Sequence, residues 1–257
     1  QIIKRGKSFI NIVEKNKTMQ ILDNIEIVDL ALWIKDKQIL IISDVHLGLE
    51  ESLHLKGILI PKQQSNLIID SLKNILSKVQ PRTIIINGDL KHNFGKNLKQ
   101  EWEDTFKLID FLKQNCEELI FIKGNHDNFL KTIANQKDIK VVDELIVGNI
   151  LLLHGDKLRE INKDIKTIII GHEHPAISLK EKSKMEKFKC FLKGKYKNKE
   201  LIVMPSFNPL SYGSDILNKS RFSPFLKDIS KFEVFIVGDE EVFKFGKVKA
   251  INRSFSV

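Results

Sequence analysis

Ile39-Leu40-Ile41-Ile42-Ser43-Asp44-Val45-His46 runs four bulky aliphatic side chains directly into a hydroxyl, a carboxylate and an imidazole. A segment apolar at every position cannot be a half-exposed strand, which would alternate; it reads as a central strand buried on both faces. The same grammar recurs four times. Ile84-Ile85-Ile86 leads into Gly88-Asp89, and Leu119-Ile120-Phe121-Ile122 into Gly124-Asn125-His126-Asp127. Ile150-Leu151-Leu152-Leu153 leads into His154-Gly155-Asp156, and Ile168-Ile169-Ile170 into Gly171-His172-Glu173-His174. Between the runs, Leu67, Ile68, Leu72, Ile75, Leu76 and Val79 recur at helical spacing, with Ser65 expected as the cap and Pro81 as the stop. Trp102, Phe106, Ile109 and Leu112 predict a second helix. Strands alternating with helices define an α/β chain.

The last third changes character. Phe188, Cys190 and Leu192 alternate with lysines before Leu201-Ile202-Val203, which predicts an antiparallel hairpin; Phe232–Val237 and Val242–Val248 predict another. Residues 21–34 are expected to add edge strands. Residues 1–18 are expected to be a flexible basic extension, with Met19 a candidate biological start, and 19–257 a single domain.

Composition excludes several classes. With 257 residues, 42% hydrophobic and 29% charged, the chain is neither disordered nor fibrous. No apolar stretch approaches the ~20 residues of a membrane span, and Gln1–Lys17 has no uninterrupted apolar core of a signal peptide. A cytoplasmic protein is therefore expected. Cys116 and Cys190 are isolated, which excludes a disulfide framework or a CxxC zinc site.

In an α/β fold, the crevice outside the carboxyl ends of parallel strands is where ligands bind. Asp44, His46, Asp89, Asn125, His154, His172 and His174 all follow such strands. Carboxylate and amide oxygens with imidazole nitrogens, and no thiolate, suit Mn²⁺, Fe²⁺ or Zn²⁺. The set exceeds what one ion needs. Two ions bridged by a carboxylate would use it, and such pairs clamp the attacking and leaving oxygens of phosphoryl displacement. Each motif alone has a structural explanation as a turn; their conjunction, each after an apolar strand, carries the reading.

DxH, GD, GNH(D/E), H and GHxH in this order resemble the calcineurin-like metallophosphoesterases. Leu47-Gly48-Leu49-Glu50, Lys56-Gly57-Ile58, Pro61, Gly88–His92 and Gly171–Ala176 are similar to archaeal SbcD-related phosphoesterases and bacterial ligase-associated endonucleases. The resemblance implies a four-layer α/β/β/α sandwich with two mixed sheets. By it, Asp44, His46, Asp89 and His174 hold one divalent ion, and Asp89, Asn125, His154 and His172 the other. Mn²⁺ is the first expectation, with Fe²⁺, Zn²⁺ or Ni²⁺ as alternatives, and a water or hydroxide shared by the ions is the nucleophile. His126 would stabilise the transition state and protonate the leaving oxygen; its structural alternative is a partner orienting a ligand. His92 would position nucleic acid, with Lys91 standing where phenylalanine is usual. The arginine of the GDxxDRG block of protein phosphatases is absent.

The formal charge of +9 is concentrated. Residues 1–19 hold five Lys and Arg against one Glu, and residues 180–200 hold nine Lys against three Glu, leaving the body nearly neutral. Lys187, Lys189 and Lys193, largely on one strand face, are expected with Lys91 to contact substrate phosphates; the alternative is a solvent-facing strand. The expected substrate is a DNA phosphodiester, in a DNA-processing nuclease with a repair helicase or ligase as partner and no membrane. The alternatives are a small-molecule or cyclic-nucleotide phosphodiesterase and, from another class, a non-catalytic scaffold such as this fold forms in the retromer complex.

Overall fold

The computed structural model describes residues 14–92, 99–127, 130–181, 184–218, 223–239 and 241–255. One seven-stranded sheet has the order β2-β3-β4-β5-β6-β7-β8. Its strands are β2 (Thr18–Leu22), β3 (Ile25–Val28), β4 (Ala31–Ile34), β5 (Ile39–Ser43), β6 (Thr83–Asn87), β7 (Glu118–Ile122) and β8 (Lys140–Val142). The second sheet has the path β1-β17-β16-β13-β14-β11-β10-β9, with β12 and β15 attached through β13. These are β1 (Glu14–Asn16), β9 (Glu144–Val147), β10 (Ile150–Leu153), β11 (Thr167–Ile170), β12 (Pro175–Glu181), β13 (Lys184–Tyr196), β14 (Lys199–Val203), β15 (Ser214–Asp215), β16 (Glu233–Val237) and β17 (Val242–Lys247). Both sheets are mixed: β5 to β8 and β10-β11-β14 pair in parallel, and the flanking strands are antiparallel.

Alternation within the apolar runs assigns their two faces. Leu40, Ile42, Ile84, Ile86 and Phe121 face the helices Gln64–Leu76, Lys99–Lys113 and Leu130–Lys137. Ile41, Ile85 and Ile120 point the other way and meet Leu152, Ile169, Phe191, Ile202 and Phe235 of the second sheet. That sheet's far face, with Leu151, Ile168, Ile170, Leu201 and Val203, is covered by Phe225, Ile229, Val248 and Ile251. The order is helix, sheet, sheet, and an outer layer of the helix Val248–Phe255 with irregular chain. Each fully buried Leu or Ile stabilises by ~1.5–3 kcal/mol, which is why the runs tolerate no polar residue until the strands end.

Register places those ends together. Ser43 pairs with Asn87 and Asn87 with Ile122, so β5, β6 and β7 stop level with one another. In the second sheet Leu152 pairs with Ile169 and Ile170 with Val203, and the loops after β10 and β11 leave from the same edge.

Two sequence expectations are corrected. Ser65 lies inside its helix rather than capping it; the amides of Gln63 and Gln64 instead donate to Glu50 Oε2 at 2.9 and 3.0 Å. A carboxylate from elsewhere satisfies the orphan amides and complements the helix dipole better than a local hydroxyl. Of the expected N-terminal extension, residues 1–13 lie outside the described residues. Glu14–Asn16, however, pairs antiparallel with β17, and Thr18 begins an edge strand of the first sheet.

Candidate metal centre

Five loops converge at the common edge of the two sheets. Asp44 Oδ1 lies 3.2 Å from His174 Nε2, which lies 3.3 Å from His46 Nε2. Asp89 Oδ2 is 3.6 Å from His46 Nε2 and 3.4 Å from His154 Nε2. His154 Nε2 is in turn 2.8 Å from Asn125 Oδ1 and 3.1 Å from His172 Nδ1. Three overlapping clusters emerge: Asp44, His46 and His174; His46, Asp89 and His126; Asp89, His154 and His172.

The donor set fits divalent ions. Atoms each ~2.1 Å from one ion stand roughly 3–3.4 Å from one another, and the separations here are 2.8–3.6 Å. Asp89 Oδ2 borders both ends of the cluster.

The backbone is contorted to achieve this. Asp44, His46, Asp89, His172 and His174 all have positive φ, between 45° and 63°. Such conformations cost non-glycine residues of order 1–3 kcal/mol each and persist where the surroundings over-determine them. Close approach is equally demanding. A Cβ on Gly124 would stand 2.1 Å from Asp89 Oδ1, and one on Gly171 2.0 Å from Ser43 Oγ and 2.3 Å from Asp44 Oδ2.

Burial and charge shape the protonation states. Burial opposes ionisation of Asp44, yet the imidazoles of His174, His154 and His46 hold its carboxyl well below the usual carboxylate range. Burial, reinforced by His174, pushes His46 down to about 3. His154 moves the other way: against burial, Asp89 and Asp44 raise it to about 9.

His126 is held beside the cluster. Its amide donates to Asp89 Oδ1 at 2.8 Å, and its Nδ1 lies 2.7 Å from the His92 carbonyl. A carbonyl only accepts, so Nδ1 carries a hydrogen and Nε2 faces Asp89 Oδ2 at 4.0 Å. The His92 ring stacks on that of His126, with centroids 6.0 Å apart and planes at 16°. Burial, then His126 and Lys56, lower His92 to about 4, so it is neutral at pH 7.

The four lysines expected at the substrate separate. Lys91 is 2% exposed, with Nζ 3.4 Å from the fully buried Glu101 and over the Trp102 ring. Lys189 turns inward and donates to the carbonyls of Ser206, at 2.8 Å, and Asn208. Lys193 sits at the far end of β13, paired with Glu233 at 3.7 Å beside a cavity of about 500 Å³ that also borders Lys195 and Glu200. Lys187 remains exposed at the site end and donates to Gly213 O at 2.6 Å; a Cβ on Gly213 would stand 2.4 Å from the His174 carbonyl oxygen. The shared strand face turns into the intersheet core at Phe191, which separates Lys187 and Lys189 from Lys193.

Several supporting residues were not among the expected site residues. Asp127 accepts the amides of Gly124 and Lys91, at 2.9 and 3.3 Å, tying two loops together. Gln64 Nε2 and Asn208 Nδ2 both donate to the His46 carbonyl, at 2.8 and 3.1 Å, and Ser206 Oγ donates to Asp44 O at 2.7 Å. Glu173 Oε2 accepts the Ser223 amide at 3.0 Å. Only Asp127 and Glu173 lay inside a recognisable block; the others come from distant segments.

Back-to-back mixed sheets, with an oxygen–nitrogen cluster on the edge where their parallel strands end, define the class: an α/β/β/α protein with a candidate metal centre. A family model described as calcineurin-like phosphoesterase matches residues 37–242. The chain belongs to the calcineurin-like phosphoesterase family and is a hydrolase acting on phosphoesters. Its structure is similar to that of Pseudomonas putida nuclease MPE, at 20% identity and a TM-score of 0.62, covering 86% of this chain and 94% of that chain. It is also similar to Yfce, a phosphoesterase from E. coli, at 12% identity and a TM-score of 0.39, covering 79% of this chain and 95% of that chain. No curated protein matches the sequence. Among the described residues, no helix is long and apolar enough to cross a membrane.

Proposed function

We propose that this protein hydrolyses phosphodiesters with two divalent ions, Mn²⁺ being the first candidate, and that its substrate is DNA. The observation that carries the two-ion reading is the position of Asp89 Oδ2, within 3.6 Å of His46 and 3.4 Å of His154 at opposite ends of the cluster. Asp44, His46, Asp89 and His174 would hold one ion, and Asp89, Asn125, His154 and His172 the other. When bound, such a pair activates water and neutralises charge on a transferring phosphoryl group.

The remaining steps belong to the chain. His126 donates Nδ1–H to the His92 carbonyl, which leaves Nε2, aimed at the cluster, as the ring nitrogen through which a proton is exchanged. When Nε2 carries a proton, it is placed to deliver it to the leaving oxygen. The His92 ring, stacked on His126, limits the rotation of that acid. Nucleic acid as substrate is supported by the SbcD-like sequence blocks, the exposed Lys187 beside the His174 loop, and the fold shared with a nuclease.

Cleavage of bis-p-nitrophenyl phosphate, single-stranded DNA and a cyclic nucleotide, each with Mn²⁺ and with chelator, tests the reading. Mn²⁺-dependent cleavage of the first two, lost in Asp89→Asn and His126→Ala, is expected. Turnover confined to cyclic nucleotides or monoesters would overturn the DNA assignment, and activity that survives Asp89→Asn would overturn the shared carboxylate.

A further inference from the structure

We infer that Lys189 is a positioning residue for the Asp44–His46 corner of the centre: its half-buried ammonium clamps the carbonyls of Ser206 and Asn208, and these two residues hold the carbonyls of Asp44 and His46. This rests in part on the metal-centre reading above.

The chain of contacts is continuous. Lys189 Nζ donates to Ser206 O and Asn208 O. Ser206 Oγ donates to Asp44 O at 2.7 Å, the Phe207 amide to Ser43 O at 2.8 Å, and Asn208 Nδ2 to His46 O at 3.1 Å. Three consecutive residues thus tether the three backbone positions that deliver a carboxylate and an imidazole. Asp44 and His46 need this, because both have positive φ, 55° and 45°, and relax toward ordinary backbone unless held.

A lysine suits the task for a physical reason. The 204–208 segment leaves β14 without forming a strand or helix, so its inward carbonyls need a donor from elsewhere. An ammonium offers three hydrogens from one atom and can serve two carbonyls together. Burial of a charge is costly unless it is hydrogen-bonded, and these two bonds, with the field of Asp29, offset part of that cost. Substrate contact, the role its sequence position suggested, is incompatible with an ammonium committed to two main-chain oxygens.

The test compares Lys189→Met, Lys189→Arg and, at the far end of the same strand, Lys193→Met. Amide hydrogen exchange on the metal-free proteins reads the tether without reference to activity. About tenfold faster exchange at residues 43–47 and 204–208 is expected in Lys189→Met, partly restored in Lys189→Arg and absent in Lys193→Met. Titration with Mn²⁺ should show one site weakened by about 10-fold or more, the size of loss that follows when the groups orienting a ligand are removed. Wild-type exchange in Lys189→Met overturns the inference. Should that variant lose its far-UV circular dichroism, Ser206→Ala and Asn208→Ala, which cut single links, decide: unchanged exchange at 43–47 in both overturns it. If the wild type binds no Mn²⁺, the metal-centre reading fails while the exchange data still judge Lys189.

Discussion

The Nε2 atoms of His46 and His174, 128 residues apart in the chain, face each other across 3.3 Å. One neutral imidazole donates to the other, or a cation shared by both lone pairs replaces that proton. The second arrangement predicts a ligand-dependent stability. Mn²⁺ at about 100 times its dissociation constant should raise unfolding free energy by ~2.7 kcal/mol, read as a higher urea midpoint that chelator reverses. His174→Ala should bind one fewer ion by calorimetry; unaltered stoichiometry would refute the pairing.

Gly171 should be intolerant of even one methyl. The added Cβ would stand 2.0 Å from Ser43 Oγ and 2.3 Å from Asp44 Oδ2, a contact relieved only by moving the carboxylate. Gly171→Ala should cost ~1–3 kcal/mol, the range for overpacking, and reduce bis-p-nitrophenyl phosphate turnover at least tenfold. Wild-type turnover would show that Asp44 can shift freely.

Lys91 and Glu101 form a buried ion pair at 3.4 Å, joining the loop after β6 to the helix Lys99–Lys113. Removing one partner takes this bridge away from a buried charge, so Lys91→Met should destabilise, whereas Lys91→Met with Glu101→Leu should cost less than the two single substitutions added together. Denaturant unfolding of the three variants completes the cycle, and strict additivity would contradict the pair.

Lys189 predicts a pH signature in stability. Burial lowers it to about 7, with Asp29 acting in the opposite direction; Asp29 itself is raised by burial and eased by Lys78. The unfolded lysine titrates near 10.5, so between pH 7 and 10 the unfolded state binds more protons than the folded one. Stability contributed by this residue therefore rises with pH across that window and is lowest below it. Relative to Lys189→Met, the wild type should gain stability from pH 7 to 10; a flat difference would refute the assignment.

Salt dependence separates the lysines. Lys187→Ala should lower DNA affinity and reduce the log–log salt slope by roughly 0.7, the value per phosphate contact for single strands. Lys193→Ala, at the far end of β13 and paired with Glu233, should leave both unchanged. Equal effects from the two would place the DNA path elsewhere.

By itself the sequence determined the five central strands, the α/β class and the blocks of oxygen and nitrogen donors, because burial on both faces and metal chemistry each restrict residue type locally. It also exposed the family, through motif order. The resemblance implied two mixed sheets, but nothing local said which strands each would hold. The faces of Ile41 and Leu40 differ only in what lies across from them, and that is a matter of chain packing. Nor could alternation decide the lysines: Lys187, Lys189 and Lys193 share a parity, but only tertiary structure makes one exposed, one a half-buried donor to two main-chain carbonyls and one a distant surface group. The left-handed backbone of Asp44 and His46 was equally hidden, since Gln64, Ser206 and Asn208, which hold it, reach it from segments remote in the chain. Local chemistry names the candidate ligands; long-range hydrogen bonds aim them.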